Sequence, residues 1–175
     1  MLTPHREARF ETHAGPFLFE VQIHDLSPDE FYSRLDGCFN QLPKDFRYAA
    51  EIRNAGLIGP EYQKVLHAPR GCACLHFLVY MPSVAKQHQR MGRFTAFFAV
   101  LRLLAPLKIA YEAAKKRTAP YTTIVAELPA MRRETVELIR KAVAEGRQVY
   151  VLVNNRSEVP APLTVQALTE MLSKT

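Results

Sequence analysis

Short apolar runs recur along the chain, and the stretches between them carry helix punctuation; this alternation constrains the fold more than any single motif. The runs are "FLFEVQ" (17–22), "YAAEIRN" (48–54), "CACLHFLVYMP" (72–82), "TAFFAVLRLL" (95–104) and "VYVLV" (149–153). Each is read as a strand, although length and periodicity leave a helix open for 95–104. Between the first two lies "LSPDEFYSRLDGCFNQLP", where Ser27 caps a helix, Pro28 suits its first position and Glu30 stands three residues after the serine. Phe31, Leu35, Cys38, Phe39 and Leu42 fall on one face of that helix, and Pro43 stops it. "GPEYQKVLHA" reads as a short helix and "LKIAYEAAKKR" (107–117) as another, with Leu107, Ala110, Tyr111 and Ala114 on one side. "APYTTIVAELPAM" is ambiguous. "RRETVELIRKAVAEG" is a helix with Val136, Ile139 and Val143 inward and Gly146 at its end. Pro162 to Leu172 forms a last helix with Val165, Leu168 and Leu172 inward. Apolar strands joined by amphipathic helices pair in parallel, because the crossovers cover the sheet, so the fold class is α/β.

The length of 175 residues suits one domain, read as a polar lead-in over 1–14 followed by a single unit over 15–175. No internal repeat beyond the alternation, low-complexity tract or interior linker divides it. A content of 48% hydrophobic and 23% charged residues excludes a disordered or fibrous chain. With 23 Lys and Arg against 17 Asp and Glu, the net charge of +6 gives a mild bias toward anionic partners. The apolar stretch "FFAVLRLLAPL" is interrupted by Arg102 and Pro106, and no run reaches the ~18 residues of a membrane span. Three cysteines and no leader fit a reducing, cytoplasmic setting. Cys72 and Cys74, two apart in an apolar run, match neither a zinc pair nor a redox pair and read as small buried strand residues.

The strands end on polar residues: Gln22 on the first, Glu51, Arg53 and Asn54 on the second, Arg102 near the end of another, and Asn154, Asn155 and Arg156 on the last. Parallel strands bring their C-terminal ends to one rim, where α/β sheets and barrels bind ligands. Each residue also has a purely structural reading. Glu51 and Arg53 point to the same strand face and suit an ion pair, the asparagines suit loop ties, and Arg102 suits pairing with a carboxylate. His24, Asp25, Glu51 and His76 are metal-ligand types, but no short-spaced motif joins them, so the leading reading includes neither metal nor cofactor. Basic clusters occur in "KQHQRMGR" (86–93), which follows a strand end and suits phosphate on the rim, and in "KKR" (115–117), which suits a solvated helix face. The chain has no Ser/His/Asp order, glycine-rich phosphate loop or nucleophile elbow.

"GPFLFEVQ", "LPKDFRYAAEIRN", the arginine within "FFAVLRLL", and "VYVLVNNRSEVPAPLTVQAL" together resemble the C-terminal part of the YecE-like family, catalogued as domain of unknown function 72. The resemblance covers most of residues 15–172 and is most specific at "EIRN", "VNNR" and "APLT". It implies a TIM-type barrel with Gln22, Glu51, Arg53, Arg102, Asn154 and Asn155 at its C-terminal mouth. The family has no established reaction, and barrels similar to it include repair endonucleases and sugar isomerases. This chain has Val159 and Pro160 where the family usually has a glycine, and it has no tryptophan, whereas the family's opening segment carries a glycine-tryptophan motif.

About five strand and helix units are countable, against eight units in about 250 residues for a whole barrel. The expectation is therefore an incomplete barrel whose outer strands need cover, from a second copy or from a separately encoded first half. Functionally, the rim is expected to bind a polar, anionic ligand, either phosphate-containing or nucleic acid. Arg53 and Arg102 would hold the anion, Gln22, Asn54, Asn154, Asn155 and Arg156 would add contacts, and Glu51 would orient an arginine or act as general base. A metal-assisted phosphoester hydrolase, an enzyme like the sugar isomerases, and an inactive barrel fragment are the alternatives.

Overall fold

A computed structural model of the chain describes residues 3–9, 13–22, 25–66, 71–78, 80–104, 127–158 and 160–174. The elements run α1 (Thr3–Glu7), β1 (Phe17–Val21), α2 (Pro28–Gln41), β2 (Tyr48–Ile52), a 3-10 turn (Ala55–Leu57), α3 (Pro60–Val65), β3 (Gly71–Phe77), α4 (Val84–Met91), β4 (Phe98–Leu103), α5 (Pro129–Ala144), β5 (Gln148–Val153) and α6 (Ala161–Ser173). All strand pairings are parallel, and the spatial order β1-β2-β3-β4-β5 is the order in the chain. A doubly wound sheet reverses its strand order partway. This sheet advances in one direction only, as successive units of a TIM-type barrel do.

The period of two along each strand explains the layers. Phe17, Phe19 and Val21 of β1, Tyr48, Ala50 and Ile52 of β2, Ala73, Leu75 and Phe77 of β3, and Ala99, Leu101 and Leu103 of β4 share one face. The main core forms where they meet Phe31, Leu35 and Phe39 of α2, Tyr62 of α3, Val84 and Met91 of α4, the apolar stripe of α5, and Leu168 of α6. The other face carries a smaller apolar cluster of Ala49, Cys72, Cys74, Ala96, Phe98 and Val100, flanked by Leu18 and Tyr150, with no helix residue in it. Burial raises the Cys72 thiol to about 12, so these cysteines are inert packing groups, as their spacing predicted.

Helix ends follow their capping chemistry. Ser27 Oγ accepts from Glu30 N at 3.3 Å at the start of α2, but the Glu30 carboxylate turns to Arg34 and leaves the capping box one-sided. Gly146 ends α5 with a φ of 71°, a conformation that favours glycine. The segment read as the basic cluster 86–93 is largely α4, and Gln87 and His88 on it are buried. Cys38, Val143 and Val165 are exposed, so the inward stripes of α2, α5 and α6 are narrower than periodicity suggested. The segment 95–104 resolves to a strand, β4. The helix expected over 107–117, its "KKR" cluster and the turn residue Val159 lie outside the described residues.

The sheet is not zipped along its whole length. β2 and β3 pair from Tyr48 and Gly71 only as far as Ala50 and Ala73, whereas β3 pairs with β4 from Cys74 onward. On the side where β2 would continue, the Gln87 amide replaces a strand partner. Its Oε1 accepts from His76 N at 3.2 Å, and its Nε2 donates to His76 O at 2.6 Å and to Pro82 O at 2.7 Å. Among the described residues β1 and β5 are the edge strands, and β5, for all its apolar run, is only half buried, with Leu152 45% exposed. An apolar groove of about 370 Å3 runs between them over the open face, lined by Leu18, Ala49, Val100, Tyr150 and Leu152 among others. Among the described residues, no helix is long and apolar enough to cross a membrane.

Candidate functional site

Alternation along β1, β2 and β4 sends Glu20, Glu51 and Arg102 to the open face near the C-terminal strand ends, and Arg53 follows just after β2. There they form a closed quartet. Arg53 donates through Nε to Glu51 Oε1 at 3.1 Å, and its Nη2 lies 2.8 Å from Glu20 Oε2. Arg102 Nη1 donates to Glu20 Oε2 at 3.0 Å and to Glu51 Oε2 at 2.9 Å. Glu51 is fully buried, whereas the side chains of Arg53, Arg102 and Glu20 are 28%, 24% and 38% exposed. A fully buried carboxylate without partners would be strongly destabilising, so the arginines are a structural necessity for Glu51. Burial alone would loosen the Arg102 proton. Hydrogen bonds to Glu51 and Glu20 and their charges outweigh it, and the guanidinium is held more firmly protonated than usual.

A guanidinium offers five N–H donors. The two carboxylates engage Nε and Nη2 of Arg53 and Nη1 of Arg102, so donors remain on both cations toward the partly exposed side. Both Glu51 oxygens are engaged by arginine, and Cys74 Sγ lies 3.8 Å from one of them. Of the two roles that the sequence leaves open for Glu51, this arrangement suits the orienting carboxylate better than the general base. The Cys74 thiol is pushed well above its ordinary range by burial and then by the Glu51 charge.

His76 stands beside Arg102 in the β3–β4 register and on the same face. It is completely buried; Nδ1 lies 3.4 Å from Cys74 O, and Nε2 has no partner among the described residues. Burial lowers its pKa, against the opposing pull of Glu51, so the imidazole is neutral at pH 7. Among the described residues, no three of His, Cys, Asp and Glu are placed to hold an ion, and His24 lies outside them.

The end of β5 forms a second feature. Val153, Asn154, Asn155 and Arg156 line an open, polar cleft of about 340 Å3. The asparagine oxygens are occupied by backbone: Asn154 Oδ1 accepts from Arg156 N at 2.9 Å and Asn155 Oδ1 from Ala161 N at 2.9 Å. Among the described residues, neither asparagine bonds to the quartet. Gln22 is exposed past the end of β1, and Asn54 caps the 3-10 turn through Gly56 N at 3.0 Å. Of the residues singled out from the sequence, the structure thus gathers Glu51, Arg53 and Arg102.

Two carboxylates were missed. Glu20 completes the quartet, and its signal was the alternation of Leu18 and Glu20 against Phe17, Phe19 and Val21. Glu158 is buried under the loop after β5. It accepts from Leu128 N at the start of α5, whose own N-cap offers no side-chain acceptor, and from Arg132 Nε at 2.9 Å. Nothing local in "NNRSE" marks that long-range role.

The family described as "Protein of unknown function DUF72" matches residues 5–175. No curated protein matches the sequence. A solved DUF72 family protein from Thermotoga maritima MSB8 is similar at 14% identity and a TM-score of 0.61, over 99% of this chain and 63% of that one. Another, from Enterococcus faecalis V583, is similar at 18% identity and a TM-score of 0.59, over 91% of this chain and 59% of that one. The chain therefore spans about three fifths of the length of these relatives, and at such identities the likeness speaks for the fold alone. The match along nearly the whole chain makes it a member of the DUF72 family, to which the YecE-like proteins also belong.

Proposed function

We propose that the protein binds a small, polar, anionic ligand, phosphate-bearing in the simplest case, at the C-terminal rim of the sheet. Arg53 and Arg102 are the anchors, and the observation that carries the reading is their geometry. Both guanidiniums are held in fixed orientation by Glu51 beneath them while a quarter of each side chain remains exposed. Guanidinium forks that are pre-oriented lose little freedom when they grip a planar or tetrahedral anion.

Glu20 is the displaceable partner in this reading. It lies on the edge strand, is the most exposed of the quartet, and uses the single oxygen Oε2 to accept from both arginines. An anion taking the place of that oxygen keeps the charge balance of the buried cluster. Thermal-shift titration with inorganic phosphate tests this through effects of opposite sign. Phosphate stabilises the wild-type protein, Arg102→Ala weakens the shift, and Glu20→Gln strengthens it, because the competing carboxylate is gone. The reading fails if phosphate leaves wild-type melting unchanged, or if Arg102→Ala and Glu20→Gln respond alike.

A further inference from the structure

Tyr80 sits in the loop leaving the C-terminal end of β3, on the rim between the strands that supply Arg53 and Arg102. Met81 N donates to Leu78 O at 3.1 Å, and Tyr80, just before Met81, is a turn residue with a φ of 66°. Positive φ at that position is the place of glycine or asparagine, since a Cβ is crowded there. Arg9, just past the end of α1, and Asp25, in the loop after β1, also have positive φ, but Arg9 only closes a helix end and Asp25 has the short polar side chain that suits this region, whereas for an aromatic residue in a loop it is uncommon. Strain of this kind is ordinarily offset by burying the side chain. Tyr80 is 84% exposed, the most exposed large hydrophobic residue described, and it makes no hydrogen bond or ring contact among the described residues. Among the described residues nothing packs on or bonds to this tyrosine in return for its backbone conformation, and strain without structural return concentrates at ligand sites.

We infer that Tyr80 is a stacking platform for a flat ring on the ligand anchored by Arg53 and Arg102, which makes that ligand a phosphate joined to a heterocycle, of the nucleoside monophosphate class. The inference rests on the anion site proposed above. His76, level with Arg102, is four residues before Tyr80, so at most about 14 Å of chain separates their Cα atoms, a distance on the scale of a nucleoside monophosphate. An aromatic ring accepts any base on its face, and the phenol edge stays in water.

The test is calorimetric titration of wild type, Tyr80→Phe and Tyr80→Gly with adenosine 5′-monophosphate, ribose 5-phosphate and inorganic phosphate, together with melting curves. The expected result is that wild type and Tyr80→Phe prefer adenosine monophosphate to ribose 5-phosphate by about tenfold, as loss of one stacked base gives. Tyr80→Gly loses that preference and retains its affinity for ribose 5-phosphate and phosphate. Its Tm holds or rises by about 2–4 °C, because glycine relieves the positive φ. Equal affinity of wild type for the two sugar phosphates, a preference retained in Tyr80→Gly, or a clear fall in its Tm overturns the inference. Phosphate binding without a ring preference removes the stacking site alone, whereas no binding of any of the three removes the anion site with it.

Discussion

Glu51→Gln is the substitution that most directly probes the buried quartet. The change is nearly isosteric, so packing is kept and one buried charge is removed. In the native state, two guanidiniums then share Glu20, and the new amide N–H2 group faces an arginine where an oxygen accepted before. Breaking a buried ion pair from one side costs about 3–5 kcal/mol. Here the arginines are a quarter exposed and Glu20 still partners both, which points to the lower end, about 3 kcal/mol, or roughly 6–12 °C in Tm for a chain of this size. Glu20→Gln removes an equal charge from a side chain 38% exposed, and solvent screening holds its cost to about 1 kcal/mol.

Urea unfolding followed by circular dichroism measures both variants, with an unchanged m-value showing that the same transition is observed. The double variant Glu51→Gln with Arg102→Gln is less destabilised than the sum of its parts, since the second change removes the cation that the first left in excess. Residues sharing one network couple by about 0.5–3 kcal/mol. Equal costs for Glu51→Gln and Glu20→Gln, or strict additivity in the double variant, would refute the idea that Glu51 is the buried keystone of the cluster.

Further outcomes follow from the other buried polar groups. Burial depresses the His76 pKa, so below its unfolded value of about 6.5 the unfolded chain binds the proton that the folded chain refuses. Stability from this group is therefore complete above about pH 6.5 and is lost as pH falls toward the folded value, by at most about 1.4 kcal/mol per pH unit; His76→Leu flattens that part of the urea-stability profile. Glu158→Ala leaves the Arg132 guanidinium, whose Nη2 lacks a partner among the described residues, with only the exposed Glu127 carboxylate 3.6 Å from Nη1, and removes the acceptor for Leu128 N. About 3–5 kcal/mol is lost, and hydrogen exchange quickens first in the opening turn of α5.

Where local chemistry decided an element, the sequence was enough to read it. Ser27, Pro28 and the spaced apolar residues announce α2, and Gly146 marks the end of α5, because caps and periodicity act within a few residues. α4 escaped because its buried face includes Gln87 and His88, polar residues that read as solvated until the His76 backbone needs a partner. The apolar run of β5 reads the same at a sheet edge as in a sheet centre, since run length reports hydrophobicity and not neighbours. The site divides along the same line. Glu51, Arg53 and Arg102 are ions in or beside apolar strands, and such ions demand explanation. Glu20, on a half-buried strand, and Glu158, in a loop, acquire their roles from residues 26 or more positions away in the chain.

Charge compensation in the quartet also separates the two kinds of anion that a basic chain could hold. The chain carries +6 overall, but two arginines and two carboxylates leave the rim cluster neutral, so long-range attraction is not what selects a ligand there. In the proposed reading, recognition falls to the directed N–H groups of Arg53 and Arg102, which act at contact and are only modestly screened by salt. Polyanion binding by scattered surface residues such as Lys86 and Arg90 would release condensed counterions and fall steeply with ionic strength. An affinity that changes little between low and moderate salt is therefore the mark of the rim site, and a steep slope is the mark of the surface. The same neutrality explains how the sheet tolerates Arg102 beside the buried His76. Arg53 and Arg102 are each balanced within hydrogen-bonding distance, and the imidazole, kept neutral by burial, adds no further charge.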